Sequence, residues 1–300
     1  MSGARAKAPA EPAQLGLIAG VATSAEHEAA LKDLEDDPTA RPLIRGILRD
    51  AIPGVLKIME VRDGWAHVVV GSGPERAGLE VSEDWPLRLL DVCAGYGAWA
   101  SEFAWFWVHA LGLPRNWLHI TAIEINPAKR AHLERWCDRS VIADVAAALS
   151  QDEDGWDIVI GNPHFSALTN DEPSQALAPL LLAHAPVVLL LHTLNCFVRG
   201  DPGQRCWVAC KPAATWLVPG TASFRSHGKP ASDCYTASVW VRGHEGPTDT
   251  DMISARMPIN PHTGAPFSTW RWSKLPGTED ATEAKALGLP MAPGYIEGLQ

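Results

Sequence analysis

Short apolar runs alternate with segments of helical length between residues 87 and 191. The runs at 87–92, 157–160 and 187–191 are apolar at most positions, which is typical of buried strands. Strands that alternate with helices in this way indicate βαβ units and a parallel sheet. The predicted strands cover 87–92, 119–125, 141–142, 157–160 and 187–191, and the predicted helices between them cover 98–111, 128–137, 146–149 and 175–184.

Beyond residue 200 the pattern becomes strand-like. Residues 206–218 and 235–241 are predicted to form two more strands, which suit the antiparallel end of a larger sheet. The sequence therefore predicts an α/β fold. Its core is expected to be a Rossmann-like, seven-stranded, mostly parallel sheet with an antiparallel end and helices on both faces.

The two ends of the chain differ from this core. Helical patterns at 24–36 and 40–51, with a strand signal at 66–70, predict a helical accessory layer on the N-terminal side. The first 14 residues are rich in Ala and Pro and are expected to be disordered. The predicted segments are a tail at 1–14, the accessory layer at 15–84, the core at 85–245, and an irregular extension packing on the core at 246–300.

Composition narrows the class of protein. The 300 residues are 46% hydrophobic and carry a net charge of −10, so binding to a nucleic acid would need a local basic face. No apolar run reaches the roughly 18 residues of a membrane helix, which predicts a soluble protein. The six cysteines form no CxxC pair and are expected to be reduced thiols in the cytoplasm. Cys206 and Cys210 lack further suitably spaced partners, so no metal site is predicted.

Small and acidic residues follow the predicted strands at their carboxyl ends, where open α/β sheets bind ligands. Residues 91–97 read Asp-Val-Cys-Ala-Gly-Tyr-Gly, and small residues in such a turn let a backbone approach a nucleotide closely. Glu124 ends the second strand and is suited to accept both hydroxyls of a ribose. Asp144 could accept a hydrogen bond from an adenine amino group, with Ile125 and Val145 on either side of the ring.

A polar turn, Asn162-Pro163-His164-Phe165, follows the strand at 157–160. An asparagine side-chain oxygen and the carbonyl oxygen of Pro163 can accept the two hydrogens of a planar amine. That arrangement directs the nitrogen lone pair at an electrophile, and Phe165 would stack on the substrate.

These two motifs together resemble those of class I S-adenosylmethionine-dependent methyltransferases, and especially the phage and bacterial adenine-N6 DNA methyltransferases with an Asn-Pro-Pro-Phe-like motif. Cys93 stands where many members have glycine, and His164 stands where the common version has a second proline. The resemblance implies S-adenosylmethionine as the cofactor and transfer of its methyl group to an exocyclic amine. It implies catalytic roles for Asn162, Pro163, His164 and Phe165, and cofactor contacts by Asp91, Cys93, Ala94, Gly95, Gly97, Glu124, Ile125, Asp144 and Val145.

The segments 217–224, 229–233 and 236–241 resemble the end of adenine-N6 DNA methyltransferases, which makes DNA the favoured partner and RNA the next. Local basic residues suit a polyanion, and a Trp-Arg-Trp segment at 270–272 interleaves aromatic and basic groups. The predicted substrate contacts are Arg199, Arg225 and Lys229, with Arg205, His227 and Lys274 as further basic groups.

Two alternatives stay open at this point. The same chemistry could act on an RNA amine, on cytosine N4 or on a protein glutamine amide, and the acidic net charge favours a protein substrate. A catalytically inactive relative that serves as a binding or assembly module is the other alternative, and Cys93 and His164 favour it. The sequence predicts no oligomeric state.

Overall fold

The computed structural model describes residues 41–72, 76–151, 155–198, 200–218, 221–222, 235–252 and 269–270. Its N-terminal part begins with helix α1 (Arg41–Val55), which buries apolar residues three and four positions apart along one face. Three antiparallel strands follow in the order β1-β2-β3. They are β1 (Leu56–Arg62), β2 (Trp65–Val70) and β3 (Ala77–Ser82).

The accessory layer was predicted to be helical with a strand signal at 66–70, and in the described residues it combines one helix with a three-stranded sheet. The strand predicted at 66–70 is confirmed by β2, whose side chains alternate between buried and half-buried positions. β2 pairs with β1 and β3 through short connections, because a single strand cannot satisfy its own backbone groups. The helix predicted at 40–51 is confirmed and extends to Val55. The helix predicted at 24–36 and the tail at 1–14 lie outside the described residues.

The core is an eight-stranded, mostly parallel sheet in the order β12-β9-β11-β8-β7-β4-β5-β6. Among the described strands of this sheet, β11 runs antiparallel to both of its neighbours, so the antiparallel pairing predicted near this end of the sheet is found, although the two outermost strands, β12 and β9, pair in parallel. The strands are β4 (Leu87–Val92), β5 (Leu118–Glu124), β6 (Arg139–Ile142), β7 (Ile158–Gly161), β8 (Val187–Thr193), β9 (Ala214–Leu217), β11 (Tyr235–Val241) and β12 (Asp249–Met252). A separate parallel pair joins β10 (Thr221–Ala222) to β13 (Thr269–Trp270).

Helices cover both faces of this sheet, as the sequence predicts. Leu89 belongs to a core cluster with α1 and α2, whereas its neighbour Leu90 belongs to a second cluster on the opposite face. This alternation follows from the two-residue period of a strand. The helices are α2 (Ala98–His109), α3 (Arg130–Leu133), α4 (Val145–Leu149), α5 (Leu177–His184), α6 (Asn195–Val198) and α7 (Asp201–Ala209). Short 3-10 helices lie at Arg115–Trp117, Pro127–Lys129, Phe165–Leu168 and Pro173–Gln175.

Two local predictions after residue 200 are wrong. The strand predicted at 206–218 begins only at Ala214, because residues 201–209 form α7, with Pro202 in the first turn where a missing N–H costs nothing. The segment beyond 246, predicted to be irregular, contributes β12, which pairs in parallel with β9 and makes the sheet eight-stranded. Its polar sequence, Asp-Thr-Asp-Met, is typical of an exposed edge strand and carries no apolar signal.

A polar network lies buried in the antiparallel half of the sheet. The ring of His192 in β8 is fully buried, and its Nε2 lies 2.8 Å from Ser238 Oγ in β11. Ser238 Oγ lies in turn 2.8 Å from Thr215 Oγ1 in β9. These bonds connect three adjacent strands through side chains as well as backbone.

Among the helices of the described ranges, none combines the length and the apolar character needed to traverse a lipid bilayer.

Candidate active site

The turn after β4 adopts a backbone that favours small residues. Cys93, Gly95 and Gly97 have φ angles of 53°, 57° and 79°, in the left-handed region that glycine tolerates best. Among the described residues, Cys93 is the only non-glycine residue with a positive φ. A Cβ atom placed on Gly95 would meet no atom of the described residues within 4 Å. The space beside Gly95 is therefore open to a ligand.

Glu124 holds this turn in place. Its Oε2 accepts a hydrogen bond from the Gly95 N–H at 2.8 Å, and its Oε1 accepts one from the Asn126 N–H at 2.9 Å. The side chain is buried at the carboxyl end of β5. Each carboxylate oxygen has two lone pairs, so each keeps an acceptor site after these bonds. Glu124 therefore combines a structural role in the protein with spare capacity for ligand hydroxyls.

Asp91 is the penultimate residue of β4 and is more deeply buried than Glu124. Its carboxylate is fully buried, and Oδ2 accepts a hydrogen bond from the Ala100 N–H at the start of α2, at 3.0 Å. Burial raises the pKa of Asp91 well above its usual value; the Ala100 bond lowers the pKa, and the charge of Glu124 raises it. Within the described part of the chain, Oδ1 is buried and has no hydrogen-bond partner. Asp91 thus caps α2 and keeps one unsatisfied oxygen near the turn.

Asp144 and Ile125 also lie at this edge of the sheet. Asp144 caps α4, because its Oδ1 accepts hydrogen bonds from the Ala146 N–H at 2.9 Å and the Ala147 N–H at 3.3 Å. Ile125 is 37% exposed and offers an apolar surface beside Glu124. Val145 is instead buried in the core, so the structure places only one of the two predicted ring-contacting residues at the surface.

The turn after β7 continues directly from a strand in the middle of the sheet. Pro163 is buried, the side-chain oxygen of Asn162 is buried, and His164 is exposed. His164 precedes the 3-10 helix Phe165–Leu168, and its Nδ1 lies 2.7 Å from Ser166 Oγ. The imidazole is therefore oriented by its own turn and stays accessible to solvent.

The two turns start side by side, because Val92 and Gly161, the last residues of β4 and β7, stand opposite each other. The backbone N–H of His164 lies close enough to the Cys93 thiol to affect its pKa. The pKa of Cys93 is raised to about 12, first by burial and then by the negative charges of Glu124, Asp91 and Asp144, while the backbone N–H of His164 acts to lower it. Cys93 is therefore a protonated thiol. The pairing of β4 with β7 thus places the candidate catalytic turn beside the candidate cofactor turn.

Phe165 packs against Tyr235, the first residue of β11. The ring centroids lie 5.8 Å apart with an interplanar angle of 62°, an edge-to-face arrangement that aromatic pairs favour. Phe165 is half-buried, so part of its ring remains accessible. The sequence analysis missed Tyr235, although an aromatic residue at the start of a strand was an available signal.

Gly161 is a second residue that the sequence analysis did not assign. It is the last residue of β7 and stands opposite Val92, the last residue of β4. A Cβ on Gly161 would lie 2.3 Å from the Val92 carbonyl oxygen, so no other residue fits without a shift of the backbone. Its position directly before Asn162 was the signal that could have identified it.

The three predicted substrate contacts, Arg199, Arg225 and Lys229, all lie outside the described residues. Arg205 lies on α7, is exposed, and its Nη2 is 3.4 Å from Asp171 Oδ1. Trp270 belongs to the short strand β13. Arg199, Arg225, His227, Lys229, Arg271, Trp272 and Lys274 lie outside the described residues.

No protein-family model matches this chain, and no curated protein matches it significantly. It is similar to solved structures of methyltransferases at low sequence identity. The methyltransferase subunit of a type I restriction-modification system from Streptococcus thermophilus is 15% identical, with a TM-score of 0.45, over 75% of this chain and 51% of that one. The M protein of the type I restriction enzyme EcoKI is 12% identical, with a TM-score of 0.45, over 74% of this chain and 48% of that one.

A third similar structure is the magnesium protoporphyrin IX methyltransferase from Synechocystis PCC 6803 with bound S-adenosylmethionine. It is 13% identical, with a TM-score of 0.35, over 53% of this chain and 71% of that one. This chain therefore spans about half the length of the two restriction-system subunits.

Proposed function

We propose that this protein is an S-adenosylmethionine-dependent methyltransferase that acts on an exocyclic amino group, with adenine N6 in DNA as the favoured substrate. The observation that carries the proposal is the parallel pairing of β4 with β7, in which Val92 stands opposite Gly161 at the start of the two turns. It joins an Asn-Pro turn suited to a planar amine to a glycine-containing turn suited to a nucleotide. Both turns follow carboxyl ends of parallel strands, where such sheets bind ligands.

The residues at this edge fit the proposed cofactor. The space beside Gly95 admits a ligand to the backbone, and the buried Oδ1 of Asp91 has no hydrogen-bond partner among the described residues. Glu124 would hold the ribose hydroxyls through its remaining lone pairs. The exposed face of Ile125 and the carboxylate of Asp144 would hold the adenine. When bound, S-adenosylmethionine supplies a methyl group whose S–CH3 bond breaks as an N–CH3 bond forms, which leaves the sulfur neutral.

The protein contributes to this reaction mainly by positioning the amine of the substrate. The Asn162 side-chain oxygen and the Pro163 carbonyl oxygen accept the two amine hydrogens and so leave the nitrogen lone pair in line for attack. Phe165, whose ring Tyr235 orients edge-on, stacks on the planar substrate. Methylation gives the nitrogen a positive charge, and one of its protons then passes to water. The exposure of His164 gives solvent access to this turn.

The choice of DNA rests on the sequence resemblance of 217–224, 229–233 and 236–241, together with the basic groups Arg199, Arg225 and Lys229. An adenine within a duplex would have to be flipped out of the stack to reach the turn after β7.

Titration calorimetry with S-adenosylmethionine tests the cofactor, and tritium transfer from labelled cofactor to duplex DNA tests the reaction. Asn162→Ala is expected to abolish transfer while changing the cofactor Kd by less than about threefold, because Asn162 acts on the amine. Asn170→Ala is the matched control, since its side-chain oxygen only accepts a bond from the Glu172 N–H at 3.0 Å. It should keep wild-type transfer.

Wild-type protein that does not bind S-adenosylmethionine would refute the proposal. Loss of cofactor binding in Asn162→Ala would assign a structural role to that residue. Transfer to RNA or to protein instead of DNA, established with nuclease and protease controls, would keep the chemistry and replace the substrate. Binding without transfer to any polymer would indicate an inactive binding module.

A further inference from the structure

A groove lies at the amino-terminal ends of the sheet strands, whereas the candidate active site lies at their carboxyl ends. It has a volume of about 330 Å³ and is bordered by β3, by the connection to β4 and by the first residues of β4 and β5. Leu79, Val81 and Leu87 form apolar parts of its lining, which also includes the cross-strand pair Arg88 and His119. These are amino-terminal positions of parallel strands, whereas Asn162 and Gly95 follow carboxyl ends. The groove is therefore separate from the active site.

Among the described strands, none pairs with one edge of β3, the strand that borders this groove. β3 pairs with β2 over six residues, from Val70↔Ala77 to Trp65↔Ser82. Across the ranges that the structure covers, no strand pairs with the other side of β3. An unpaired edge presents a row of backbone donors and acceptors that an added strand can satisfy. Extended peptides bind in this way, with side-chain pockets beside the edge giving specificity.

Trp85 provides a large exposed contact at the end of the same strand. Its side chain is 76% exposed, yet its backbone is fixed in a turn by two bonds. The Ser82 N–H donates to the Trp85 carbonyl oxygen at 3.0 Å, and the Trp85 N–H donates to Ser82 Oγ at 3.2 Å. An indole that is solvent-exposed and held on an ordered turn is the kind of group that dominates binding energy at interfaces.

The charge around the groove defines the chemistry of its occupant. Glu80 and Asp157 line the groove, and the exposed carboxylates of Glu83 and Asp84 directly precede Trp85. The basic residues that line the groove are Arg88 and His119. Acidic groups therefore outnumber basic ones at this surface. A basic side chain would be attracted to these carboxylates and to the face of the Trp85 indole.

We propose that this groove binds an extended segment of a partner protein in which basic and apolar side chains alternate. The segment adds a strand to the free edge of β3. Its apolar side chains enter the groove, and a lysine or arginine lies over Trp85 between the carboxylates of Glu80 and Glu83. Because the groove lies at the amino-terminal strand ends and the active site at the carboxyl ends, the partner and the substrate can be bound at the same time.

Nuclear magnetic resonance of the full chain, labelled with nitrogen-15, tests this proposal with a defined probe. The probe is an acetylated and amidated hexapeptide of sequence Val-Lys-Val-Arg-Val-Lys, and its acidic counterpart is Val-Glu-Val-Asp-Val-Glu. The Trp85 indole signal is identified by its absence from the Trp85→Phe spectrum. The basic peptide is expected to shift this signal and the amide signals of β3, and the acidic peptide is expected to shift neither.

Variants then locate the binding. Trp85→Ala is expected to weaken binding of the basic peptide by about tenfold or more. Glu80→Lys combined with Glu83→Lys should weaken this binding to a similar degree. Met59→Ala is the matched control, because Met59 is 62% exposed on β1, at the far edge of the same small sheet. It should leave the affinity unchanged. Equal shifts with both peptides, no shift with the basic peptide, or wild-type affinity in Trp85→Ala would each overturn the proposal.

Discussion

Gly161 in β7 and Val92 in β4 approach so closely that a Cβ on Gly161 would lie 2.3 Å from the Val92 carbonyl oxygen. Both residues end their strands, and the turns that form the candidate active site start immediately after them. The absence of a side chain at Gly161 therefore sets the separation of the two turns. It also explains why a glycine precedes Asn162.

Replacement of Gly161 by alanine should destabilise the protein by about 3 kcal/mol, because the added methyl group meets backbone that cannot move alone. Urea unfolding gives the free energy. Gly54→Ala is the matched control, since a Cβ there meets no atom within 4 Å and lies in α1. It should be neutral or stabilising by up to about 1 kcal/mol. Equal unfolding free energies for Gly161→Ala and wild type would contradict the close approach.

Glu124→Ala should weaken S-adenosylmethionine binding by about tenfold or more, because the Gly95 N–H and the Asn126 N–H both lose their acceptor. The turn then loses the bond that fixes it to β5. Titration calorimetry measures the effect. Glu134 is exposed, so Glu134→Ala is the control and should bind S-adenosylmethionine with the wild-type Kd. An unchanged Kd in Glu124→Ala would exclude this role.

The free energy of unfolding should fall as the pH falls from 6.5 to about 4, because of His192. Burial lowers the pKa of His192 from 6.5 to about 4, while the bond to the Thr193 carbonyl acts to raise that pKa. Over that range the unfolded chain binds a proton that the folded protein excludes, so the stabilisation is complete above pH 6.5 and is lost below it. The lowering corresponds to about 3 kcal/mol.

His192→Gln should therefore reduce the difference in unfolding free energy between pH 7.5 and pH 4.5 by about 2 to 3 kcal/mol. Urea unfolding at the two pH values measures it. His109 is exposed, and His109→Gln should keep the wild-type difference. An identical pH dependence in His192→Gln and wild type would show that His192 does not cause it.

The ion pair of Arg45 with Glu102 should be important for attachment of α1 to α2. Glu102 is fully buried, Arg45 Nε donates to its Oε2, and the guanidinium carbon lies 4.5 Å from the centre of the Trp105 ring. Arg45→Ala would remove a guanidinium that pairs with a buried carboxylate and should cost about 3 to 5 kcal/mol in urea unfolding. Arg45→Met combined with Glu102→Leu should recover most of that loss.

The exposed pair of Arg62 with Glu60 is the control for this effect. Its side chains are 62% and 46% exposed, and Arg62 also lies over a tryptophan ring, that of Trp65, at 5.3 Å. Arg62→Ala should therefore cost less than about 1 kcal/mol. A similar cost for Arg45→Ala and Arg62→Ala would mean that burial does not distinguish the two pairs.

Apolar content and strand length were sufficient to predict the parallel half of the sheet. The strand predicted at 87–92 matches β4, and the strands predicted at 119–125 and 157–160 each differ from β5 and β7 by one residue at either end. The predictions were poorer where strands are polar or helices short. β12 has no apolar pattern, and the sequence of α7 mixes Pro, Gly and Cys with polar residues.

The residues at the strand ends were predictable because a βαβ sheet brings carboxyl ends of parallel strands to one edge. Their individual roles were not. Asp144 and Asp91 both bond to helix N-termini, and Glu124 bonds to two backbone N–H groups. A carboxylate after a strand looks the same in sequence whether it binds a ligand, caps a helix or does both. The roles of these residues toward a cofactor therefore stay predictions.

The sequence by itself determined the α/β class, the order of the strand-end turns and the chemistry that those turns can hold, because each depends on local periodicity and residue type. Only the tertiary structure decided the relations across strands. It placed Gly161 against Val92 and Phe165 against Tyr235, and among the described strands it left one edge of β3 unpaired near Trp85. These contacts join residues far apart in the chain, and they arise from how strands pair and pack, which no local pattern encodes.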